Sequence, residues 1–328
     1  SAALTVLVTG GTGFLGRHMV AALLKNGHAV SMLVRSKSKV DTTPHPKLTI
    51  LKGDITLPAS ITGLAQGMDV IYHFAAQLGE WGLPADIFYS VNVKGTQNLL
   101  DECRKTSKPR FIFISTPGVQ GKGHKQAKES LPYNPPYIYE QTKCEAEKRV
   151  IEFNKLYKLP MAIVRPDFVY GPGDYRRLSL YRAILRRRFL IIGAGESILH
   201  PTYVDDVIQG LLRIGQHKAG LNEILNLAGP EQLTVESYIK IMARVMGVTA
   251  HRVKIPLQIG KILATCCEKM SSYTGKPPFI SHSKIEFLTH DHGVDITRAK
   301  NVVNFFPRYG FENGFRLTFN WAKQNNLL

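Results

Sequence analysis

Apolar residues in the first half of this chain come in short continuous runs rather than alternating ones. Leu4–Thr9, Ala29–Val34, Leu48–Leu51, Val70–Phe74, Arg110–Ser115 and Met161–Arg165 each read as a strand. Between them, Phe14–Asn26, Asp86–Lys105 and Pro136–Leu156 carry helical spacing. Strands apolar throughout have no wet face, so the sheet they form is covered on both sides. Alternation of this kind joins parallel strands through right-handed crossovers. The pattern predicts an α/β protein with a doubly wound parallel sheet.

After Gly171-Pro172-Gly173 the rhythm changes to arginines, short helices and loops. Thr234 reads as the N-cap of a helix through Met246, with Glu236 in its first turn. Ile255–Met270 is an apolar helical stretch, either a lid over a greasy ligand or packing for a small domain. Residues 1–171 are expected to form one domain and residues 172–328 mainly a smaller, irregular α/β substrate domain. The segment 201–228, with Tyr203–Gly215 and Ile224–Leu227, is expected to return to the main sheet. Gly118–Pro136 is the longest polar, breaker-rich loop.

Composition narrows the classes. With 44% hydrophobic and 20% charged residues, the chain suits a soluble globular protein. No apolar run reaches the length of a transmembrane helix, and Leu4–Val8 leads straight into a glycine loop, unlike a signal peptide. Four cysteines without a Cys-x-x-Cys pair suit a reduced, cytoplasmic protein, and no metal site is expected. His290-Asp-His292 reads as a turn between two elements. The net charge of +17 admits nucleic acid, a membrane surface or anionic small molecules. No nucleic-acid motif supports the first. The basic run Arg176–Arg188 is a solvated face, or a contact for anions or a peripheral membrane surface.

Candidate chemistry begins at Thr9-Gly10-Gly11-Thr12-Gly13-Phe14-Leu15-Gly16, between the first strand and the first helix. Glycines at 10, 13 and 16 allow a tight turn, close approach of a pyrophosphate, and close helix–strand packing. The helix N-terminus then offers free N–H groups to phosphate. The second strand ends in Val34-Arg35, where an NAD site usually has an acid for the ribose hydroxyls. A basic Arg35 suits a 2′-phosphate, so NADP(H) is favoured over NAD(H). A solvated basic loop of Arg35, Lys37 and Lys39 is the bland alternative. Further on, Tyr139 and Lys143 stand four residues apart and share one helical face. An ammonium near a phenol favours the phenolate and makes it a usable proton carrier.

Taken in order, these motifs resemble the extended short-chain dehydrogenase/reductase family, also called the NAD-dependent epimerase/dehydratase family, which has a Rossmann cofactor domain. The resemblance covers nearly the whole chain. It includes the glycine loop, Gly53-Asp54, His73-Phe-Ala-Ala76, Val91-Asn92-Val-Lys-Gly95-Thr96, Ser115-Thr116, Tyr139-x-x-x-Lys143, Arg165-Pro166, Tyr170-Gly171-Pro172-Gly173 and His200-Pro-Thr-Tyr-Val204-Asp205-Asp206. It implies cofactor contacts from Gly10, Thr12, Gly13, Phe14, Leu15, Gly16, Arg35, Asp54, Ile55, Ala75, Ala76, Asn92, Tyr139, Lys143, Pro166 and Val169. It makes Tyr139 the acid/base, and Lys143 the group that lowers its pKa and holds the nicotinamide ribose. Thr116 would orient the substrate oxygen. Ser115 is the alternative, although counting back from Gly121 favours Thr116.

Dehydratases of the family carry Asp-Glu after the catalytic Thr, whereas Pro117-Gly118 stand here. Dehydration is therefore not expected. Residues 74–92 look like the 3β-hydroxysteroid dehydrogenase-like and β-ketoacid reductase branch. The resemblance implies net oxidation or reduction of an alcohol/ketone pair. The alternatives are a nucleotide-sugar epimerase, with arginines on a diphosphate, and a non-catalytic cofactor sensor. Gln77, Trp81, Thr116, Arg176 and His200 are the expected substrate contacts. A homodimer through the long helices is the family habit.

Overall fold

The computed structural model describes residues 2–36, 40, 43–79, 81–249 and 253–328. A seven-stranded sheet runs in the order Glu223–Leu227, Met161–Pro166, Arg110–Ile114, Val70–His73, Thr5–Thr9, Ala29–Val34, Leu48–Lys52, every pair parallel. The period-2 geometry of a strand divides its side chains between two cores. Val6, Val8, Met32, Tyr72, Ile112 and Val164 face the helices Phe14–Lys25 and Val204–Gln216. Leu7, Leu33, Ile71, Phe111, Phe113 and Ile163 face the helices Thr96–Arg104 and Ile138–Tyr157. The doubly wound sheet expected from the continuous apolar runs is thus the observed one.

The connections leaving Thr5–Thr9 and Val70–His73 pass to opposite sides of the sheet. The crevice between their C-terminal ends is the switch point where such folds bind ligands. Gly10 follows the first of these strands and Ala75 the second. They approach so closely that a Cβ on Gly10 would stand 2.7 Å from the Ala75 nitrogen.

Three elements depart from expectation. Asp86–Lys105 is not one α-helix. An α-helical turn Ala85–Phe88 passes into a π-helical stretch Tyr89–Gly95 and then into Thr96–Arg104. Side chains hold the wide turn: the Thr96 hydroxyl donates to the Asn92 carbonyl at 2.7 Å, and Asn92 binds the Gln77 backbone. The loop after Gly118 contains a strand, His124–Ala127, paired in parallel with His292–Val294. The helix Leu257–Thr274 outruns its expected end and stops at Gly275, in the left-handed region at φ 66°. It packs on the body through Gly260 and Ala264, against Ile192 and Ile285.

Candidate active site

One cavity of about 1060 Å³ opens at the switch point. The glycine loop forms one wall. Gly10 has φ +69°, and a Cβ on Gly16 would lie 2.1 Å from the Gly10 carbonyl oxygen, so both positions demand glycine. Gly13 caps the Phe14–Lys25 helix and donates its N–H to the Gly10 carbonyl at 3.0 Å. His18 on this helix bonds the Pro172 carbonyl at 2.7 Å, fixing the loop to the turn after the sixth sheet strand.

A buried polar chain ties both strand ends to the helix that carries Tyr139. Thr96 gives its proton to the Asn92 carbonyl, so its oxygen accepts from His73 Nε2 at 2.9 Å. His73 Nδ1 then accepts from the Thr9 hydroxyl at 2.6 Å. Burial, with Lys143 nearby, holds this imidazole neutral, its pKa down at about 3. The Asn92 amide donates to Thr142 Oγ1 at 2.9 Å, and Thr142 donates to the Tyr139 carbonyl at 2.9 Å. Asn92 therefore does not line the cavity; it sets the positions of residues that do.

Tyr139 and Lys143 line the cavity together with Ser115 and Thr116. Lys143 is buried, donates to the Ile114 carbonyl at 2.5 Å, and lies 4.1 Å from the centre of the Phe113 ring. Burial lowers its pKa to about 7, against the opposing pull of Glu147. The Tyr139 phenol is not lowered as expected. Burial first and Glu140 second raise it to about 12, and Arg176 only partly offsets them. Thr116 Oγ1 accepts from the Gly118 N–H at 3.2 Å, which caps the short helix Pro117–Gln120; its own proton can still be donated.

Four residues on the cavity wall bury a polar atom with no partner among the described residues: Ser115 Oγ, Glu140 Oε2, Asp167 Oδ2 and His292 Nε2. Burial raises the Asp167 carboxyl to about 7 and lowers His292 to about 4. Sequence reasoning missed Glu140, Asp167 and His292 as site residues. Each sits beside a recognised motif, but only tertiary burial sets it apart. It also missed Arg17, whose place one residue after Gly16 was a usable signal. His292 belongs to an aromatic wall in which Phe287 stacks on it at 4.4 Å and on Phe168 at 5.3 Å.

Of the other expected contacts, Thr12, Phe14, Leu15, Arg35, Asp54, Ile55, Ala75, Ala76, Gln77, Pro166, Val169 and Arg176 line the cavity. Trp81 and His200 are not brought to it. Trp81 is exposed elsewhere. His200 is buried, with both ring nitrogens committed, to the Gly229 carbonyl at 2.9 Å and the Val294 N–H at 3.3 Å. Lys37 and Lys39 lie outside the described residues. Among the described residues no His, Cys, Asp or Glu cluster could hold a metal, and no helix is long and apolar enough to cross a membrane.

The site fits a nicotinamide dinucleotide on its own geometry. Gly10 and Gly16 leave a cradle that a Cβ would fill, a helix N-terminus faces it, and Ser115 Oγ is unpartnered beside it.

Comparison with known proteins agrees. Residues 6–228 match the model of the NAD dependent epimerase/dehydratase family. The chain is 25% identical to the 2-alkyl-3-oxoalkanoate reductase of Stenotrophomonas maltophilia, over 95% of this chain and 97% of that protein. It is 27% identical to the 3 beta-hydroxysteroid dehydrogenase/Delta 5→4-isomerase of Mycobacterium tuberculosis, over 93% and 86%. Among solved structures, the UDP-glucuronic acid 4-epimerase of Bacillus cereus, in complex with UDP-glucuronic acid and NAD, superposes with TM-score 0.78. That pair is 26% identical, over 98% of this chain and 100% of the other. The chain belongs to the NAD dependent epimerase/dehydratase family.

Proposed function

We propose that this protein is an oxidoreductase that reduces a ketone on an apolar substrate to a secondary alcohol, with NADP(H) as the preferred hydride carrier. The observation that carries the reading is the shared cavity. The Phe168–Phe287–His292 wall lines the same space as Tyr139, Thr116 and Lys143. Flat, stacked rings suit a greasy body better than a hydrated sugar. Similarity over almost the whole length of a 2-alkyl-3-oxoalkanoate reductase supports it.

The arginine segment gives the epimerase reading little support. Arg177 is spent on buried Asp174 at 2.9 Å, the Val169 carbonyl and the Phe168 ring, and Arg182 donates to the Leu327 carbonyl. Arg186, Arg187 and Arg188 do not line the cavity. Arg176 lines the cavity too, but its Nε donates to the same Asp174 at 3.1 Å.

When bound, the dinucleotide supplies or accepts a hydride. The glycine loop and the Phe14–Lys25 N-terminus would hold its phosphates, with Asp54 and Ile55 at the adenine end and Lys143 at the nicotinamide ribose. Thr116 and Tyr139 give hydrogen bonds to the substrate carbonyl oxygen. Tyr139, a protonated phenol at neutral pH, gives its proton to that oxygen as it becomes an alkoxide. All four cysteines are unpaired, which supports a reducing, cytoplasmic setting.

The deciding experiment supplies NADPH with a 2-alkyl-3-oxoalkanoate and, separately, a panel of UDP-sugars. Stoichiometric loss of NADPH with the keto acid is expected. Sugar interconversion without net cofactor change would select the epimerase instead.

The cofactor preference has its own test. Arg35 is exposed on the cavity wall, and Val34, where an acid would serve NAD, is buried. Arg35→Ala removes a charge-assisted contact worth about 1.5–3 kcal/mol, so KM for NADPH should rise about 10- to 100-fold. KM for NADH should move less than about twofold. Equal effects on both would sink the NADP(H) assignment.

A further inference from the structure

The helix Leu257–Thr274 is built inside out for a surface helix. Its small residues Gly260, Ala264 and Ser271 are buried against the body. Its bulky apolar residues face outward: Ile262 is 63%, Met270 66% and Tyr273 90% exposed, with Ile259 and Leu263 also exposed. Ile259, Ile262, Leu263, Cys266, Met270 and Tyr273 recur at helical spacing and share an arc of about 100°. Phe279, 79% exposed, follows in the next loop. A contiguous exposed stripe of this kind marks an interaction surface rather than scattered surface apolars.

What surrounds the stripe identifies its occupant. Lys261 and Lys269 project from the same helix and Lys276 follows it, all exposed. The one acid on the helix, Glu268, is engaged by His282 at 2.9 Å. The surface continues across the short sheet at the helix's foot, where Ile191 pairs with Lys254 and where Leu190 and Val253 are both exposed. Exposed Arg186, Arg187 and Arg188 precede that sheet and do not line the cavity. An apolar stripe rimmed by basic side chains has the pattern of a helix lying in the plane of an anionic lipid surface. A second copy would set these cations against their own kind, in a chain whose net charge is +17.

We propose that Leu257–Thr274, with the Arg186–Arg188 segment, docks this protein peripherally on anionic phospholipid membranes. The helix seats on the body through Ile192 and Ile285, and the helix His282–Thr289 that carries Ile285 also gives Ser283, Glu286 and Phe287 to the cavity wall. Docking therefore places a helix that packs directly on the cavity wall against the lipid. It does not require the substrate class inferred above, because it is read on the free protein.

The test is sedimentation with phosphatidylcholine vesicles, with and without phosphatidylglycerol. The wild type is expected to co-sediment with the anionic vesicles at low salt and to lose at least about tenfold in affinity at 0.5 M salt. Ile262→Glu/Met270→Glu should abolish binding with NADPH affinity and circular dichroism unchanged. Lys261→Glu/Lys269→Glu should weaken it roughly fivefold or more per charge. Failure to bind anionic vesicles at low salt overturns the proposal, as does binding that the apolar pair of substitutions leaves intact. Light scattering that shows a dimer dissolved by Ile262→Glu/Met270→Glu would assign the stripe to a second copy instead.

Discussion

Tyr139→Phe is expected to lower turnover by about 10²–10⁴-fold while NADPH binds within about twofold of wild type. A thousandfold loss corresponds to about 4 kcal/mol of transition-state stabilisation. The substitution removes one oxygen from the cavity wall and leaves the ring, and the network holding the helix acts through the Tyr139 carbonyl, not its hydroxyl. Cofactor titration and single-turnover reduction separate binding from chemistry. Unchanged turnover would mean that Tyr139 is not the proton carrier; no turnover in either protein, with tight cofactor binding, would restore the sensor reading.

The pH dependence follows from the same groups. With Tyr139 pushed up to about 12, the phenol stays protonated through the workable range and remains a donor for reduction. Alcohol oxidation needs the phenolate, so its rate should climb with pH. Lys143 sits at about 7 and is charged below that value. Reduction should therefore decline as pH rises through about 7 while oxidation gains, and the ratio of the two rates is the readout. In Tyr139→Phe the rising limb of oxidation should flatten.

The parts of this molecule that were legible in the sequence are those set by local spacing. Continuous apolar runs located the central strands, because both faces of each strand are buried. Glycine spacing located the cradle, because Gly16 answers to Gly10 six residues before it and Gly10 itself takes a positive φ in the same turn, although its close neighbour Ala75 is distant in sequence. The Tyr139/Lys143 pair was legible because helical periodicity alone puts them on one face.

What was not legible depends on distant partners. His124–Ala127 is polar and becomes a strand only by pairing with His292–Val294. The π-helical stretch exists because Asn92 and Thr96 bind the backbone, which hydrophobic periodicity does not register. His200 has the motif of a site residue, but Gly229 and Val294 take both its nitrogens. The lowered pKa expected of Tyr139 counted the lysine and omitted burial, which is the larger influence in the folded protein.

Glu147→Gln is expected to cost about 3–5 kcal/mol of stability, measured as a shift in the denaturant midpoint. Glu147 and Arg165 are both fully buried, joined by two bonds of 2.9 and 2.6 Å, and Tyr133 donates to the same carboxylate at 2.8 Å. A neutral amide leaves the guanidinium as an uncompensated buried charge. Replacing both partners, as Glu147→Leu/Arg165→Met, should recover most of the loss, because no charge is then stranded. Glu147 also lies one helical turn beyond Lys143 and is the charge that opposes its depression by burial. Both variants should therefore move the decline of reduction to a pH below about 7. The double variant is the informative one: near-wild-type stability with a displaced profile would separate the electrostatic role of Glu147 from its structural one, whereas an unshifted profile would remove Glu147 from the chemistry of Lys143.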